Sequence, residues 1–270
     1  MNETRLPERI NVNPNIFGGK PIVIVLVMLF LRPLGAAPIS VRYVEGTIHG
    51  FLALRAPNGS VIASGDLLQV KKGGEMQSRM LFRFKDGSIY DETVTYTQER
   101  VFTMQNYRLV QHGPAFADDT EISMERSGRY RVKTKAHKDG KEKALDGRLD
   151  LPSDVYNGMV ITVVKNLPKG RGETVHLVVF EPTPRLIQLQ MIPANEEKVK
   201  IGEGTKNTTH YLFKPQLGIW LKILAKLLGK LPPDSHAWIT NDQVPAFLRA
   251  DEPLSISGPI CRIELTAPRW

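Results

Sequence analysis

The chain has 270 residues, of which 41% are hydrophobic and 24% charged, a composition that predicts a folded protein with a substantial core rather than a disordered chain. Its one cysteine, Cys261, excludes an intrachain disulfide and any multi-cysteine zinc or iron–sulfur site, and we expect it to pack as a small hydrophobic residue. The net charge of +8 is too modest to imply nucleic acid by itself, so we expect no nucleic-acid partner.

The N-terminus has the pattern of an export signal. Three basic residues precede an apolar run over residues 22–31, and the small residues 35–37 follow it. The run is too short for an ordinary membrane span of about 20 residues. We therefore expect residues 1–37 to be a signal peptide, and residues 38–270 to be a single β-rich domain exported to the periplasm. The alternative is an uncleaved inner-membrane anchor formed by residues 22–31.

The region from Leu81 to Leu109 predicts three consecutive antiparallel strands. An Asp-Gly pair at 86–87 lies between two alternating runs, which is a strong hairpin signal. A loop of two residues and a loop of three differ by one residue in register, so each would place a different face of the second strand beside Phe82 and Phe84. We favour the three-residue loop 85–87, with Gly87 left-handed, because it places the apolar side chains of both strands on one inner face. That face would contact a ligand through Phe82, Phe84, Tyr90 and Tyr96.

The region from Arg129 to Ala136 is the clearest strand pattern in the chain, because cations alternate there with apolar or neutral residues. Four cations share one face: Arg129, Arg131, Lys133 and Lys135. This face could bind an anionic polymer or the headgroups of an anionic membrane surface. The alternative is the solvated outer face of a half-buried sheet, which needs no ligand.

The pattern then changes to that of a helix. Ser153 is a candidate N-cap for a helix that would run to Leu167, where Pro168 stops it. Beyond this helix, Val175 to Phe180 is apolar on both faces and predicts a central strand.

The segment from Leu217 to Gly229 predicts an amphipathic helix. Leucines lie on one side, and lysines at a spacing of four lie on the other. This helix could pack its leucines against the sheet, close the mouth of a β cavity as a lid, or lie on an anionic bilayer. As a lid it would contact a ligand through Trp220 and Leu224, together with Trp238 from the strand that follows.

Chemical motifs are absent from the sequence. The six histidines lack the spacings typical of metal ligands, and no nucleophile elbow, phosphate-binding loop or dinucleotide fingerprint is present. Strand pairing could still bring two histidines together. Asp91 and Glu92 are neighbours on a strand and point to opposite faces, which argues against catalysis by this pair. We expect no catalytic residue, metal or cofactor.

Short motifs over most of the chain resemble a group of uncharacterised exported bacterial proteins. The motifs are Asp86-Gly87-Ser88-Ile89-Tyr90-Asp91-Glu92, Leu151-Pro152 with Asn157-Gly158-Met159, Pro232-Pro233-Asp234 with His236 and Trp238, Pro245-Ala246-Phe247, and Gly258-Pro259-Ile260 with Arg262-Ile263-Glu264-Leu265. That group has no assigned activity, so the resemblance implies no catalytic residues. The β-rich pattern is more loosely similar to periplasmic lipoprotein carriers, which wrap a curved antiparallel sheet around an apolar ligand. That likeness concerns the fold.

We therefore expect a mainly β protein: a curved antiparallel sheet, half-barrel or barrel, with one or two helices, one of them packed on or capping the sheet. The leading hypothesis is a non-enzymatic envelope protein that binds a lipid or another hydrophobic molecule in a β-sheet cavity. The alternative is an envelope adaptor that binds a partner or an anionic polymer through the basic face or a sheet edge. A hydrolase whose carboxylates converge only in the fold is a third hypothesis.

Overall fold

A computed structural model of the chain describes residues 37–202, 204–216, 234–255 and 258–266. The predicted signal or anchor at 1–37 lies outside these residues except for its last position. The amphipathic helix predicted at 217–229, with Trp220 and Leu224, also lies outside them. Both remain predictions.

The described residues form one antiparallel sheet of fourteen strands and one short helix. The elements are β1 (Ile48–Arg55), β2 (Val61–Lys72), β3 (Glu75–Phe84), β4 (Ile89–Gln98), β5 (Phe102–His112), β6 (Asp118–Glu125), β7 (Arg129–Ala136), β8 (Glu142–Arg148), α1 (Val160–Val164), β9 (Glu173–Val179), β10 (Arg185–Ile201), β11 (Gly204–Gln216), β12 (Ser235–Thr240), β13 (Phe247–Pro253) and β14 (Ile260–Thr266). The strand order is β8-β7-β6-β5-β4-β3-β2-β1-β14-β13-β12-β11-β10-β9. The sheet is curved. It is open because the described strands β8 and β9, at the two ends of this order, do not pair with each other. The predicted mainly β fold is confirmed.

The hairpin between β3 and β4 has the register that the sequence favoured. Phe82 pairs with Tyr90, and Arg83 pairs with Ile89, so three residues form the loop. Gly87 has a φ of +87°, in the left-handed region where a residue without Cβ is not strained. The three-residue loop is therefore confirmed, and the apolar side chains of both strands share the inner face.

Residues 149–168, which we call the inner segment, lie against the inner face of the sheet. The Tyr156 hydroxyl accepts a hydrogen bond from the Ile39 backbone N–H (2.8 Å) and donates one to the Phe102 carbonyl (3.3 Å). Gly158 lies so close to β4 and β5 that a Cβ there would press on their side chains. Buried apolar residues of the inner segment join the main core: Val155, Tyr156, Met159, Val163, Val164 and Leu167.

The helix predicted from Ser153 to Leu167 is mostly wrong, because only Val160–Val164 is helical. The Asn157 side chain exchanges two hydrogen bonds of 2.8 Å with the backbone N–H and carbonyl of Val178. These bonds hold the first half of the inner segment against β9 in a conformation that is not helical. The local helix signal was overridden by this tertiary pairing.

The prediction of a central strand at 175–180 is also wrong, because β9 lies at one end of the strand order. Its free edge is covered by the inner segment. Val155 forms a parallel bridge with His176, and the His176 N–H donates to the Asp154 carbonyl (3.0 Å). The fully buried Asp154 carboxylate also contacts the His176 ring nitrogen Nδ1 at 2.7 Å. An edge strand covered in this way buries apolar residues on both faces, as a central strand does.

The hairpin of β10 and β11 is longer than the strands beside it. β9 and β12 pair with only part of it, so its end extends past both neighbours. Near this end, Val199 and Ile201 pack against Trp238 and Leu248 in a second, smaller apolar cluster. We call residues 199–202 the hairpin tip.

Candidate functional site

The four inner-face residues predicted to contact a ligand do share one face, but three are packed in the core. Phe82 and Tyr96 are fully buried, Tyr90 is nearly so, and the Tyr96 hydroxyl donates to Gln69 Oε1 at 3.0 Å. Phe84 is half-buried and lines a cavity of about 350 Å³. Other residues of that cavity are Ile62, Phe116, Leu254 and Cys261. Cys261 is itself buried in the core, as predicted.

Trp238, the remaining predicted ligand contact among the described residues, lies on the outer face. Its neighbours on β12, Ala237 and Ile239, join the main core, so alternation along the strand directs Trp238 away from the inner aromatic residues. The sequence grouped it with Phe82 and Tyr96, and the structure separates it from them.

Trp238 belongs to a row of outer-face residues that crosses five strands. Cross-strand pairing aligns Asn195, His210, Trp238, Arg249 and Glu264 from β10 to β14. The His210 ring stacks on Trp238 with centroids 4.6 Å apart, and the Trp238 Nε1–H donates to the Glu197 carboxylate. His210 Nδ1 donates to Asn195 Oδ1 (3.0 Å), which leaves His210 Nε2 to accept from His236 Nδ1 (2.8 Å). Burial and the neighbouring His236 lower the pKa of His210, in keeping with a neutral ring.

Arg249 lies over the other side of this aromatic row. Its guanidinium is 3.7 Å from the Trp238 ring centroid, the geometry of a cation–π contact. Its Nε atom is buried and has no hydrogen-bond partner in the part of the chain that the structure describes. Burial, followed by the charge of Arg262, lowers the pKa of Arg249, so its environment disfavours the cation.

A groove of about 980 Å³ separates the hairpin tip from the outer face of β1, β2, β13 and β14. Its apolar lining comes from both walls: Phe51, Ala53, Val61, Val199, Ile201, Leu248 and Leu265. Phe51 is 37% exposed, a large aromatic side chain left partly in water. We call this space the outer groove.

The basic face of β7 is formed as predicted, and all four of its cations are exposed. Carboxylates on the neighbouring strands neutralise much of it. Arg131 pairs with Asp146 at 2.5 Å, and Lys135 pairs with Glu142 at 3.1 Å. Arg129 pairs with Glu125 at 2.8 Å, and Lys133 lies opposite Glu121 in the register. Anion binding by this face stays a prediction, to be weighed against these pairs.

Glu92 and Glu252 are acidic residues whose side chains face the interior of the sheet. Glu92 lies between Tyr90 and Val94 on the inner side of β4, and Tyr107 donates to Glu92 Oε1 at 3.0 Å. Desolvation raises the pKa of Glu92. Desolvation and the Glu92 charge raise the pKa of Glu252, on β13, to about 7. We call Glu92 and Glu252 the inner carboxyl pair.

The inner carboxyl pair is brought together by the curvature of the sheet. Gln111 on β5 donates to the Leu254 carbonyl at 2.6 Å, which links β5 directly to the segment that follows β13. Asp91, by contrast, lies on the outer face and forms a bidentate ion pair with Arg79. The sequence was right that Asp91 and Glu92 point apart, and the partner of Glu92 comes from a strand 160 residues later in the chain.

Sequence reasoning missed Arg249, Glu252 and the outer groove. For Glu252 a signal was present, since Ala250, Glu252 and Leu254 alternate and place a carboxyl on an apolar face. For Arg249 no such signal exists, because its neighbours come from other strands.

In the described ranges no helix is long and apolar enough to span a bilayer. The same ranges hold no group of three or more His, Cys, Asp or Glu side chains arranged to bind a metal ion.

Comparison with known proteins gives little. No protein-family model and no curated protein matches the chain. Among solved structures, it is similar to a β-barrel-like protein of a domain of unknown function, DUF1849, from Brucella abortus. The identity is 10%, the alignment covers 83% of this chain and 98% of that chain, and the TM-score is 0.46. At this TM-score the similarity carries no inference about function.

Proposed function

We propose that the protein is a non-enzymatic protein of the cell envelope that binds a lipid or another hydrophobic molecule, and that the ligand lies in the outer groove. The observation that carries this proposal is the groove itself. Apolar side chains from the sheet and the hairpin tip line about 980 Å³, at the upper end of the range of about 300–1,000 Å³ typical of ligand sites.

The groove, rather than the inner face, is the better place for a ligand. Phe82 and Tyr96 have no exposed surface, and the inner segment packs against that face. A ligand beside Phe82 and Tyr96 would have to displace the protein's own core, and the inner cavity beside Phe84, at about 350 Å³, is smaller than the groove. The outer groove is open, and its apolar surface would leave water when a ligand binds, which is favourable at about 25 cal/mol per Å². The envelope location rests on the export pattern of residues 1–37.

Binding of a neutral fluorescent probe, N-phenyl-1-naphthylamine, tests this proposal. We expect Ser64→Trp to weaken binding at least about tenfold, because an indole would fill the groove from its β2 wall. Ser123→Trp is the matched control, since Ser123 is exposed on the outer face of β6 and does not line the groove. It should leave the affinity unchanged.

Native mass spectrometry of the protein purified from its own envelope gives a second readout. We expect a population with bound lipid. A homogeneous unliganded mass, together with no affinity for the probe, would contradict the proposal.

An adaptor role has one observation in its favour. β8 lies at one end of the strand order, and all of its residues except Gly147 are exposed. Such an edge can accept a further strand from a partner. Its alternating charges, among them Glu142, Lys143 and Asp146, are the kind that discourage unspecific pairing.

A further inference from the structure

We infer that the ligand of the outer groove is a single amphiphile with an anionic headgroup, and that Arg249 binds this headgroup. This inference rests on the proposed function, because it names the chemical class of the groove's ligand.

The charges that line the groove favour an anion. Among the described residues, three cations line it, Arg55, Lys200 and Arg249, against one carboxylate, Glu264. Glu264 forms an ion pair with Arg55, so these two charges offset each other. Arg249 and Lys200 remain, one on the sheet wall and one on the hairpin tip.

Arg249 is positioned to bind an anion. The nearby carboxylates are engaged elsewhere: Asp251 holds Arg262 through two bonds of 2.8 Å, and Glu197 accepts from Trp238. No carboxylate in the described ranges lies within ion-pair distance of Arg249. Its guanidinium is already oriented by the Trp238 ring, so little side-chain freedom is lost when an anion binds.

The lining places an apolar tail beside this cation. Leu248 precedes Arg249 on β13, and Leu248 packs with Val199 and Ile201 of the hairpin tip. An acyl chain along these residues would bring its headgroup to the guanidinium. Because the groove has two walls, one from the sheet and one from the hairpin, it suits a single chain that enters between them rather than the flat surface of a bilayer.

Displacement of N-phenyl-1-naphthylamine from the purified protein tests the inference with three ligands of equal chain length: dodecanoate, dodecanol and dodecyltrimethylammonium. Below the critical micelle concentrations of the two ionic ligands and the aqueous solubility of dodecanol, we expect dodecanoate to bind about tenfold more tightly than dodecanol, which is the size of a charge-assisted hydrogen bond. The cationic ligand should bind most weakly. This comparison on the wild-type protein depends on no variant.

The variant Arg249→Gln should bind dodecanoate and dodecanol about equally, and Arg249→Lys should keep part of the preference because it keeps the charge. Arg108→Gln is the matched control, since Arg108 is an exposed, ion-paired arginine on the outer side of β5. It should keep the full preference for dodecanoate.

Equal binding of dodecanoate and dodecanol by the wild-type protein, or a preference that survives in a folded Arg249→Gln variant, would overturn the inference and leave the proposed function standing. Failure of all three ligands and of the probe to bind would overturn both. Binding to phosphatidylglycerol vesicles without binding of monomeric dodecanoate would also overturn the inference, because it would assign the cation to a membrane surface.

Discussion

The inner carboxyl pair and the carboxylates of the outer face have opposite surroundings. On the inner face, Glu92 and Glu252 are desolvated, their pKa values are raised, and Tyr107 donates a hydrogen bond to Glu92. On the outer face, carboxylates pair with cations, as Asp251 does with Arg262. Burial favours the neutral form of the inner carboxyl pair, whereas a paired cation favours the ionised form of a carboxylate.

The two faces also differ in how full they are. The inner face is packed by the inner segment, which the chain supplies from residues 149–168. The outer face retains a groove of about 980 Å³ under the hairpin tip. The inner face keeps a smaller cavity, of about 350 Å³, beside Phe84. Of these two spaces, the larger one therefore lies outside the sheet.

Truncation of one aromatic residue on each face should give the largest contrast. Phe82→Ala removes a fully buried side chain, so we expect it to lower the free energy of unfolding by about 3 to 5 kcal/mol. Phe51→Ala, in the outer groove, should cost less than about 1 kcal/mol but weaken probe binding. Urea unfolding with probe titration measures both. Equal costs of the two substitutions would contradict a packed inner face and an open groove.

The pH dependence of stability tests the inner carboxyl pair. Because the pKa of Glu252 is raised from 4.5 to about 7 in the folded state, the folded protein holds a proton there that the unfolded chain releases. The contribution of this group to the free energy of unfolding is fully present below about pH 4.5. It is lost as the pH rises through 7, and the total loss is about 3 kcal/mol. Glu252→Gln should abolish this part of the decline in urea unfolding curves measured from pH 4 to 8. A variant as pH-dependent as the wild type would show that Glu252 is not desolvated.

The smallest effect is expected on the basic face. Exposed ion pairs contribute between about 0 and 1 kcal/mol, so Arg131→Glu combined with Lys133→Glu should change the free energy of unfolding by at most about 1 kcal/mol. Probe binding in the outer groove should be unchanged. Retention on heparin, measured in parallel, tests the adaptor hypothesis, which predicts that the charge reversal abolishes this retention. Loss of probe binding in the double variant would place the ligand site elsewhere.

Local patterns in the sequence were enough for most strands. Alternation at Arg129 to Ala136 gave β7 with its observed bounds, and the Asp-Gly pair with its flanking aromatic residues gave the β3–β4 register. These predictions succeeded because alternation and turn geometry act between residues that are close in sequence. Where long-range contacts decide, they failed, as at Ser153 to Leu167, whose first half pairs with β9 instead of forming a helix.

The candidate site shows the same division. Trp238 was predicted from the sequence as a ligand contact, but the face on which it lies depends on the neighbouring strands. It lies on the outer face with Arg249 rather than on the inner face with Phe82. The Glu92 carboxyl was known to point away from Asp91, but the Glu252 partner comes from a strand far along the chain.

By itself, the sequence of this protein determined a β-rich chain, the inner aromatic face of β3 and β4, and the cationic face of β7, since a period of two residues assigns faces within one strand. Only the tertiary structure decided that the sheet stays open, that the inner segment fills its inner side, and that an apolar groove with Arg249 lies on its outer side. These features arise from contacts between residues far apart in the chain, which no local pattern encodes.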